Sequence, residues 1–168
     1  MRVSAGAVFF LLGGWATACE PGGAPPPPSG RAEPARPGVT VPSPDSLELD
    51  LQVPDTVRIG DPVPIVLTIT NRTTRHLALY LRGREITFDV SVSRPGGALV
   101  WRKLEGEVIP AIVRLEELAP GAVLTVRDAW HQRDQAGGPA PPGEYQVGAE
   151  VLTESQPLRA PAVRLRIR

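Results

Sequence analysis

The chain has 168 residues, which is enough for one domain with short accessory segments. Its 18 basic and 18 acidic residues give a formal net charge of zero and it carries no nucleic-acid-reading motif, so we predict no nucleic-acid partner. The single cysteine excludes an intramolecular disulfide and a zinc site built on cysteines, so an exported domain of this sequence must be stabilised by burial.

An apolar stretch lies near the N-terminus, from Val3 to Trp15, behind the positively charged Arg2. The stretch is too short to cross a hydrocarbon core of ~30 Å as a helix, and it is typical of the hydrophobic region of a signal peptide. We therefore predict a signal peptide over residues 1–18.

Cys19 directly follows the small residues Ala16, Thr17 and Ala18. This arrangement resembles a bacterial lipobox, although Ala16 stands where leucine is most common. The resemblance implies cleavage before Cys19 and attachment of lipid to its thiol, which would anchor the chain to a membrane. The alternative is ordinary secretory cleavage, which would leave Cys19 as the free N-terminal residue of a secreted protein.

Residues 19–46 contain this cysteine and a segment that is rich in proline and glycine and lacks apolar periodicity. Such a composition cannot bury a core and is typical of a linker. The run Pro25–Pro28 favours polyproline II, so we expect a partly stiff spacer between the membrane and the domain. The alternative is a proline-rich ligand for an aromatic groove of another protein.

Apolar and polar residues alternate in most of the chain after residue 46, and turn residues separate the alternating segments. The segments with this pattern are Leu47–Val53, Val63–Ile69, Leu77–Leu81, Ile86–Val92, Ala122–Val126, Tyr145–Val151 and Val163–Ile167. The stretch RLEELAP, residues 114–120, predicts at most one helical turn. We therefore predict an all-β domain over residues 47–168, an immunoglobulin-like antiparallel β-sandwich of about seven to nine strands.

Tyr145 follows Pro142 and Gly143 at the start of a late strand. Immunoglobulin-like domains carry a tyrosine corner at this place, in which the hydroxyl group hydrogen-bonds to the backbone a few residues upstream. The alternative is a tyrosine that only fills the core.

Short motifs recur in a fixed order between residues 47 and 156. They comprise a strand ending in Asn, a Phe-Asp pair, Gly before a Val-Trp pair, Pro-Gly before a strand ending in Trp, and Pro-Gly-x-Tyr. The positions are Asn71, Phe88, Asp89, Gly97, Val100, Trp101, Pro120, Gly121, Trp130, Pro142, Gly143 and Tyr145. This order resembles the intracellular proteinase inhibitor (BsuPI) domain family. The resemblance implies a β-sandwich and inhibition of serine proteinases, whereas the export signal departs from the family's intracellular namesake and no motif marks a reactive loop.

The stretch YLRGREITF, Tyr80–Phe88, predicts a tight basic hairpin that carries Arg82 and Arg84. An exposed arginine on a rigid loop suits the binding pocket of a trypsin-like proteinase, and rigidity lowers the entropy cost of binding. Arg82 and Arg84 are therefore candidate protein-binding residues.

His131 lies near Asp128 and Asp134, and a histidine flanked by carboxylates can act as a base or bind a metal. We favour a solvated strand end, because no serine elbow and no second histidine with ligand spacing accompany it. His131 then begins a further candidate protein-binding loop, residues 131–143. We predict no metal site, no cofactor and no enzyme activity.

These features predict a membrane-tethered, non-catalytic protein-binding domain of proteinase-inhibitor (BsuPI) type. Its expected location is the cell envelope, at the outer membrane or the periplasmic face if the cell is Gram-negative. Its expected partners are the membrane, through the lipid, and a proteinase or another envelope protein. The alternative is a structural or assembly accessory lipoprotein of the envelope without inhibitory activity.

Overall fold

The computed structural model describes residues 46–168. The predicted signal peptide, the lipidation of Cys19 and the linker up to residue 45 lie outside these residues. The described part is nearly all β, which confirms the predicted fold class. Residues 46–168 contain no helix that is long and apolar enough to cross a bilayer.

Residues 46–168 form eleven strands. Their bounds are Leu47–Gln52 (β1), Thr56–Val57 (β2), Val63–Asn71 (β3), Leu77–Arg82 (β4), Phe88–Ser93 (β5), Leu99–Arg102 (β6), Val113–Leu118 (β7), Val123–Trp130 (β8), Gly143–Val151 (β9), Leu158–Arg159 (β10) and Val163–Ile167 (β11). β2 and β10 contain two residues each. Without these two strands nine of the eleven remain, which agrees with the predicted number.

The strands of the described part are arranged in three sheets. One has the order β1-β3-β8, the largest has the order β2-β11-β9-β5-β6 with β10 beside β9, and the third contains β4 and β7. All neighbours pair antiparallel except β2 and β11, which are parallel. The largest sheet and the β1-β3-β8 sheet bury their inner faces in one core, as in a β-sandwich.

Burial alternates along the strands with the period of two that the sequence predicted. Buried side chains of the long strands include Val63, Ile65, Leu67 and Ile69 on β3, Val90 and Val92 on β5, and Tyr145, Val147 and Val151 on β9. Leu77, Leu79 and Leu81 of β4 join the same core. Burial of apolar area is therefore the main favourable contribution to the stability of this domain.

The predicted hairpin over Tyr80–Phe88 is wrong. β4 pairs with β7, whereas β5 pairs with β6 and β9, so this segment carries the chain from one sheet into another. A short loop between two alternating segments is typical of a hairpin. Alternation shows which side chains are buried, but it does not define the neighbouring strand.

Residues 114–120, for which the sequence allowed at most one helical turn, contain a strand that was not predicted, because most of this stretch belongs to β7. Glu and Leu are good helix formers, so local preference does not indicate a strand here. Pairing with β4 along its whole length outweighs that local preference.

Candidate interaction surface

The motif residue Asn71 is buried at the end of β3. Its side-chain nitrogen donates to the backbone carbonyls of Arg75, Leu118 and Ala119, at 2.8, 2.9 and 3.0 Å. Its side-chain oxygen accepts from the backbone N–H of Thr73 at 2.9 Å. Asn71 therefore connects the β3–β4 turn to the end of β7.

The motif pair Pro120 and Gly121 forms the turn that packs beside Asn71. The backbone N–H of Gly121 donates to the carbonyl of Asn71 at 3.0 Å, and the N–H of Asn71 donates to the carbonyl of Ala122 at 3.0 Å. Gly121 has a φ of +71°, which glycine adopts without the strain that other residues incur. The two motifs, far apart in sequence, thus form one structural unit.

Asp89 is a buried carboxylate, 3 % exposed, at the start of β5. It accepts hydrogen bonds from the Arg102 guanidinium and from the backbone N–H of Leu104, the latter at 3.1 Å. The hydrogen bond and the charge of Asp89 raise the pKa of Arg102, which also pairs with Glu150 at 3.1 Å. Asp89 therefore fixes β6 and the following loop against β5.

Trp130 is buried at the end of β8. Its indole N–H donates to the carbonyl of Arg133 at 2.8 Å, and its ring meets the edge of Tyr145 at a centroid distance of 5.4 Å. Trp101 of β6 is partly buried and stacks on Trp130 at 6.5 Å. These rings fill the core between the two large sheets, so neither tryptophan is a free anchor for a partner.

Tyr145 forms the hydrogen bond of a tyrosine corner. Its hydroxyl donates to the backbone carbonyl of Pro141, four residues upstream. Burial raises the pKa of Tyr145, and the Arg94 guanidinium, 4.2 Å above the ring centre, acts in the opposite direction. Pro142 and Gly143 lie in the turn that this hydrogen bond closes.

His131 is exposed at the start of its loop, and the two nearby carboxylates have other partners. Asp128 pairs with Lys103 at 2.6 Å, and Asp134 accepts the backbone N–H of Gly138 at 2.7 Å. Residues 46–168 contain no group of three or more His, Cys, Asp or Glu that could hold a metal ion. The geometry therefore favours a solvated strand end at His131.

Arg82 and Arg84 lie on either side of Gly83, where the chain leaves β4. The backbone N–H of Arg82 donates to the carbonyl of Leu152 at 2.9 Å, and the N–H of Gly83 donates to the carbonyl of Ile112 at 2.8 Å. The base of the turn over residues 83–86 is thus held from two sides, while Arg84 at its tip is exposed.

Gly83 is required for the close packing of this turn. Its φ of +96° is rarely adopted by other residues, and an added Cβ would lie 2.2 Å from the Thr87 hydroxyl. The basic turn therefore has a defined backbone rather than a flexible one.

Exposed side chains of β4 and β7 continue from this turn. Tyr80 lies opposite Leu115, and Arg82 lies opposite Val113. The set Tyr80, Arg82, Arg84, Val113 and Leu115 is called the β4–β7 surface below. Tyrosine and arginine beside exposed aliphatic groups are a combination enriched at protein interfaces.

Sequence reasoning found the arginines of the β4–β7 surface and missed its aliphatic half. Val113 and Leu115 stand two residues apart with Arg114 between them, which is a strand signal, but the short stretch was not included among the predicted strands. Recognition of that alternation would have identified β7.

The structure does not bring His131 to the arginine turn. Trp130, which precedes His131, packs on Tyr145 near the start of β9, whereas Arg82 bonds to Leu152 just after the end of β9. The intervening strand is roughly 20 Å long at the rise of extended chain. The predicted protein-binding residues therefore belong to two separate surfaces.

The fold and the buried motif residues define an all-β sandwich domain with an exposed basic and aliphatic surface, the β4–β7 surface. The model of the family described as intracellular proteinase inhibitor, BsuPI, matches residues 48–156, which is more than half of the chain. The chain belongs to this family. No curated protein matches the chain.

Several solved structures contain a part that is similar to this chain. They include the alkylpurine DNA glycosylase AlkC of Pseudomonas fluorescens bound to DNA with an abasic site analog (17 % identity, TM-score 0.44, 73 % of this chain and 30 % of that one). A β-glucosidase from Listeria innocua in complex with glucose matches at 12 % identity and a TM-score of 0.41, over 72 % of this chain and 16 % of that one. The CARDB domain of the PF1109 protein from Pyrococcus furiosus matches at 14 % identity and a TM-score of 0.40, over 73 % of this chain and 87 % of that one.

The chain spans less than a third of the glycosylase and less than a fifth of the glucosidase. Similarity at these identities and TM-scores carries no conclusion about what this chain binds or catalyses.

Proposed function

We propose that this chain is an envelope-tethered, non-catalytic binding domain of proteinase-inhibitor type, and that the basic turn of the β4–β7 surface contacts the proteinase. The family assignment supports the inhibitor type. The lipobox-like sequence at Cys19 and the proline-rich segment after it support tethering.

The observation that carries the proposal is the exposed Arg84 on a turn whose base is fixed. An inhibitor must present its loop in nearly the bound conformation, because ordering a flexible loop costs binding free energy. The backbone hydrogen bonds from Arg82 and Gly83 supply that order without a disulfide. Tyr80 and Val113 beside the turn add apolar area at which a partner can exclude water.

The test is an inhibition assay of the purified whole chain against trypsin-like and subtilisin-like serine proteinases. We expect Arg84→Ala to weaken inhibition of a trypsin-like enzyme by roughly 30-fold, because truncation of a hot spot costs about 2 kcal/mol or more. Arg75→Ala is the matched control, since Arg75 is an exposed arginine in the β3–β4 turn. Its inhibition constant is expected to equal that of the native chain.

Two results would contradict the inhibitor role. One is the absence of inhibition by the folded chain at micromolar concentration in the whole panel. The other is rapid cleavage after Arg84 without inhibition, which would make the turn a substrate. Either result would leave a structural or assembly role in the envelope as the working hypothesis.

A further inference from the structure

β7 is an edge strand within residues 46–168. It pairs with β4 on one side, and no described strand pairs with its other side. Val113 and Leu115 of this strand are 44 % and 50 % exposed. The strand contains no proline and no lysine, which commonly protect edges from pairing with other chains.

The hydrogen bonds of β4 determine which groups of β7 face the free edge. Gly83 lies opposite Ile112 and donates to its carbonyl, so these two residues form a hydrogen-bonded pair. Hydrogen-bonded and non-hydrogen-bonded pairs alternate along an antiparallel ladder. Val113, Leu115 and Glu117 therefore direct their N–H and C=O groups away from β4.

The far side of β4 confirms this alternation. Tyr80 and Arg82, which lie opposite Leu115 and Val113, use their backbone groups on the side away from β7. There the carbonyl of Tyr80 accepts from Glu154 at 2.8 Å, and the N–H of Arg82 donates to Leu152 at 2.9 Å.

The other face of β7 carries two charges of opposite sign. Arg114 pairs with Glu116 at 2.7 Å, and both side chains are partly exposed. The Nε atom of Arg114 is buried and has no hydrogen-bond acceptor among the described residues. Inward-facing charges on an edge strand discourage pairing with unrelated strands, because such pairing would bury a charge without a partner.

We propose that β7 pairs antiparallel with β7 of a second copy of this chain, with Leu115 opposite Leu115 of that copy. The proposal does not depend on proteinase inhibition. Val113, Leu115 and Glu117 would exchange about six backbone hydrogen bonds with the same residues of the second copy. Arg114 would lie opposite Glu116 of the second copy at both ends of the pair, so that opposite charges face each other.

The charges select this register from its neighbours. A shift of the second copy by two residues in one direction places Arg114 opposite Arg114 of that copy. A shift by two residues in the other direction places Glu116 opposite Glu116. Like charges directly opposite each other destabilise a strand pair. Only the register centred on Leu115 places opposite charges together at both positions, so the edge that rejects unrelated strands accepts a copy of itself.

The first test is disulfide cross-linking of the whole chain in the membranes of the expressing cell. Leu115→Cys would place two thiols across the two-fold axis, where opposite Cα atoms are ~5.5 Å apart and a disulfide can form. We expect a product of twice the chain mass in electrophoresis without a reducing agent. Addition of a reducing agent should return it to the chain mass. The native chain, which retains Cys19, and Val123→Cys, at a position 57 % exposed on β8, are the controls and are expected to give no such product.

The second test reverses charges and measures mass in solution by light scattering, with circular dichroism to verify folding. Arg114→Glu alone and Glu116→Arg alone should each be monomeric, because each places like charges opposite each other in the pair. An equimolar mixture of the two variants should regain the dimer mass, since the two acidic groups of one copy then meet the two basic groups of the other across the pair. The double variant Arg114→Glu, Glu116→Arg should also be dimeric.

Three results would overturn the proposal. They are a native chain that is monomeric at all concentrations tested, a mixture of folded single variants that stays monomeric, and a Leu115→Cys product whose mass differs from two copies. The last result would indicate another protein at this edge.

Discussion

At the scale of single residues, buried polar groups stabilise the turns of this domain. The spacing Pro-Gly-x-Tyr indicated a tyrosine corner beside the alternative of a core-filling tyrosine, and a local signal was possible because the donor and the acceptor of that hydrogen bond lie four residues apart. The Arg94 guanidinium above the Tyr145 ring could not be predicted in the same way. Arg94 belongs to the loop after β5, and only the pairing of β5 with β9 brings it there.

Tyr145→Phe tests the corner. We expect the variant to lose about 1 kcal/mol of unfolding free energy, the net value of one hydrogen bond, and to melt roughly 3–6 °C lower. Burial raises the pKa of Tyr145 above its unfolded value of 10.0, so the folded state favours the neutral phenol. That contribution is complete below pH 10 and is lost as the pH rises through the raised pKa, and Tyr145→Phe should lack this alkaline loss.

The matched control is Tyr80→Phe, because Tyr80 is the other tyrosine of the chain and is exposed on β4. Its melting temperature is expected to remain that of the native chain, and its alkaline transition should persist. Equal melting temperatures and equal alkaline transitions of Tyr145→Phe and the native chain would show that the corner contributes nothing to stability.

At the scale of strands, the sequence predicted where most strands lie but not which strands are neighbours. Periodicity is a local property, and it identified β3 and β9 to within two residues at each end. The pairing of β4 with β7 joins segments that are far apart in the sequence, and the pairing follows from how the core closes. The aliphatic half of the β4–β7 surface was missed for this reason, since its strand is short and contains helix-forming residues.

Asn71→Ala tests the connection between the β3–β4 turn and the end of β7. The variant would remove the donor of the hydrogen bonds to the backbone carbonyls of Arg75, Leu118 and Ala119, and loss of bonds in this buried place costs about 1–3 kcal/mol. We therefore expect a loss of about 2 kcal/mol in the unfolding free energy from urea titration, with an unchanged dependence on urea concentration.

Gln52→Ala is the control for Asn71→Ala. Gln52 is the last residue of β1, and its amide is exposed and donates to the carboxylate of Asp50. Its effect should be within about 0.5 kcal/mol. A similarly small effect of Asn71→Ala would mean that water replaces the lost donor and that the motif asparagine is not a structural connection.

At the scale of the whole molecule, the single cysteine of the chain, Cys19, lies outside the described domain. Antibody domains carry a disulfide cysteine two residues after the corner tyrosine, whereas this chain has Val147 there, fully buried in the core. The described domain contains no cysteine, so its stability comes from apolar burial and hydrogen bonds and not from a disulfide within it. The cysteine remains available for the role that its position after three small residues predicts.

Cys19→Ala tests that role by intact mass and by fractionation of the expressing cells. We expect the native chain in the membrane fraction with a mass that includes lipid, because several acyl chains anchor a protein far more firmly than one. The variant should lack the lipid mass. Ser29→Ala, a change of similar size in the linker, should behave as the native chain does. Identical masses of the processed native and Cys19→Ala chains, apart from the substituted atom, would exclude lipidation and favour secretion, because no other thiol could carry the anchor.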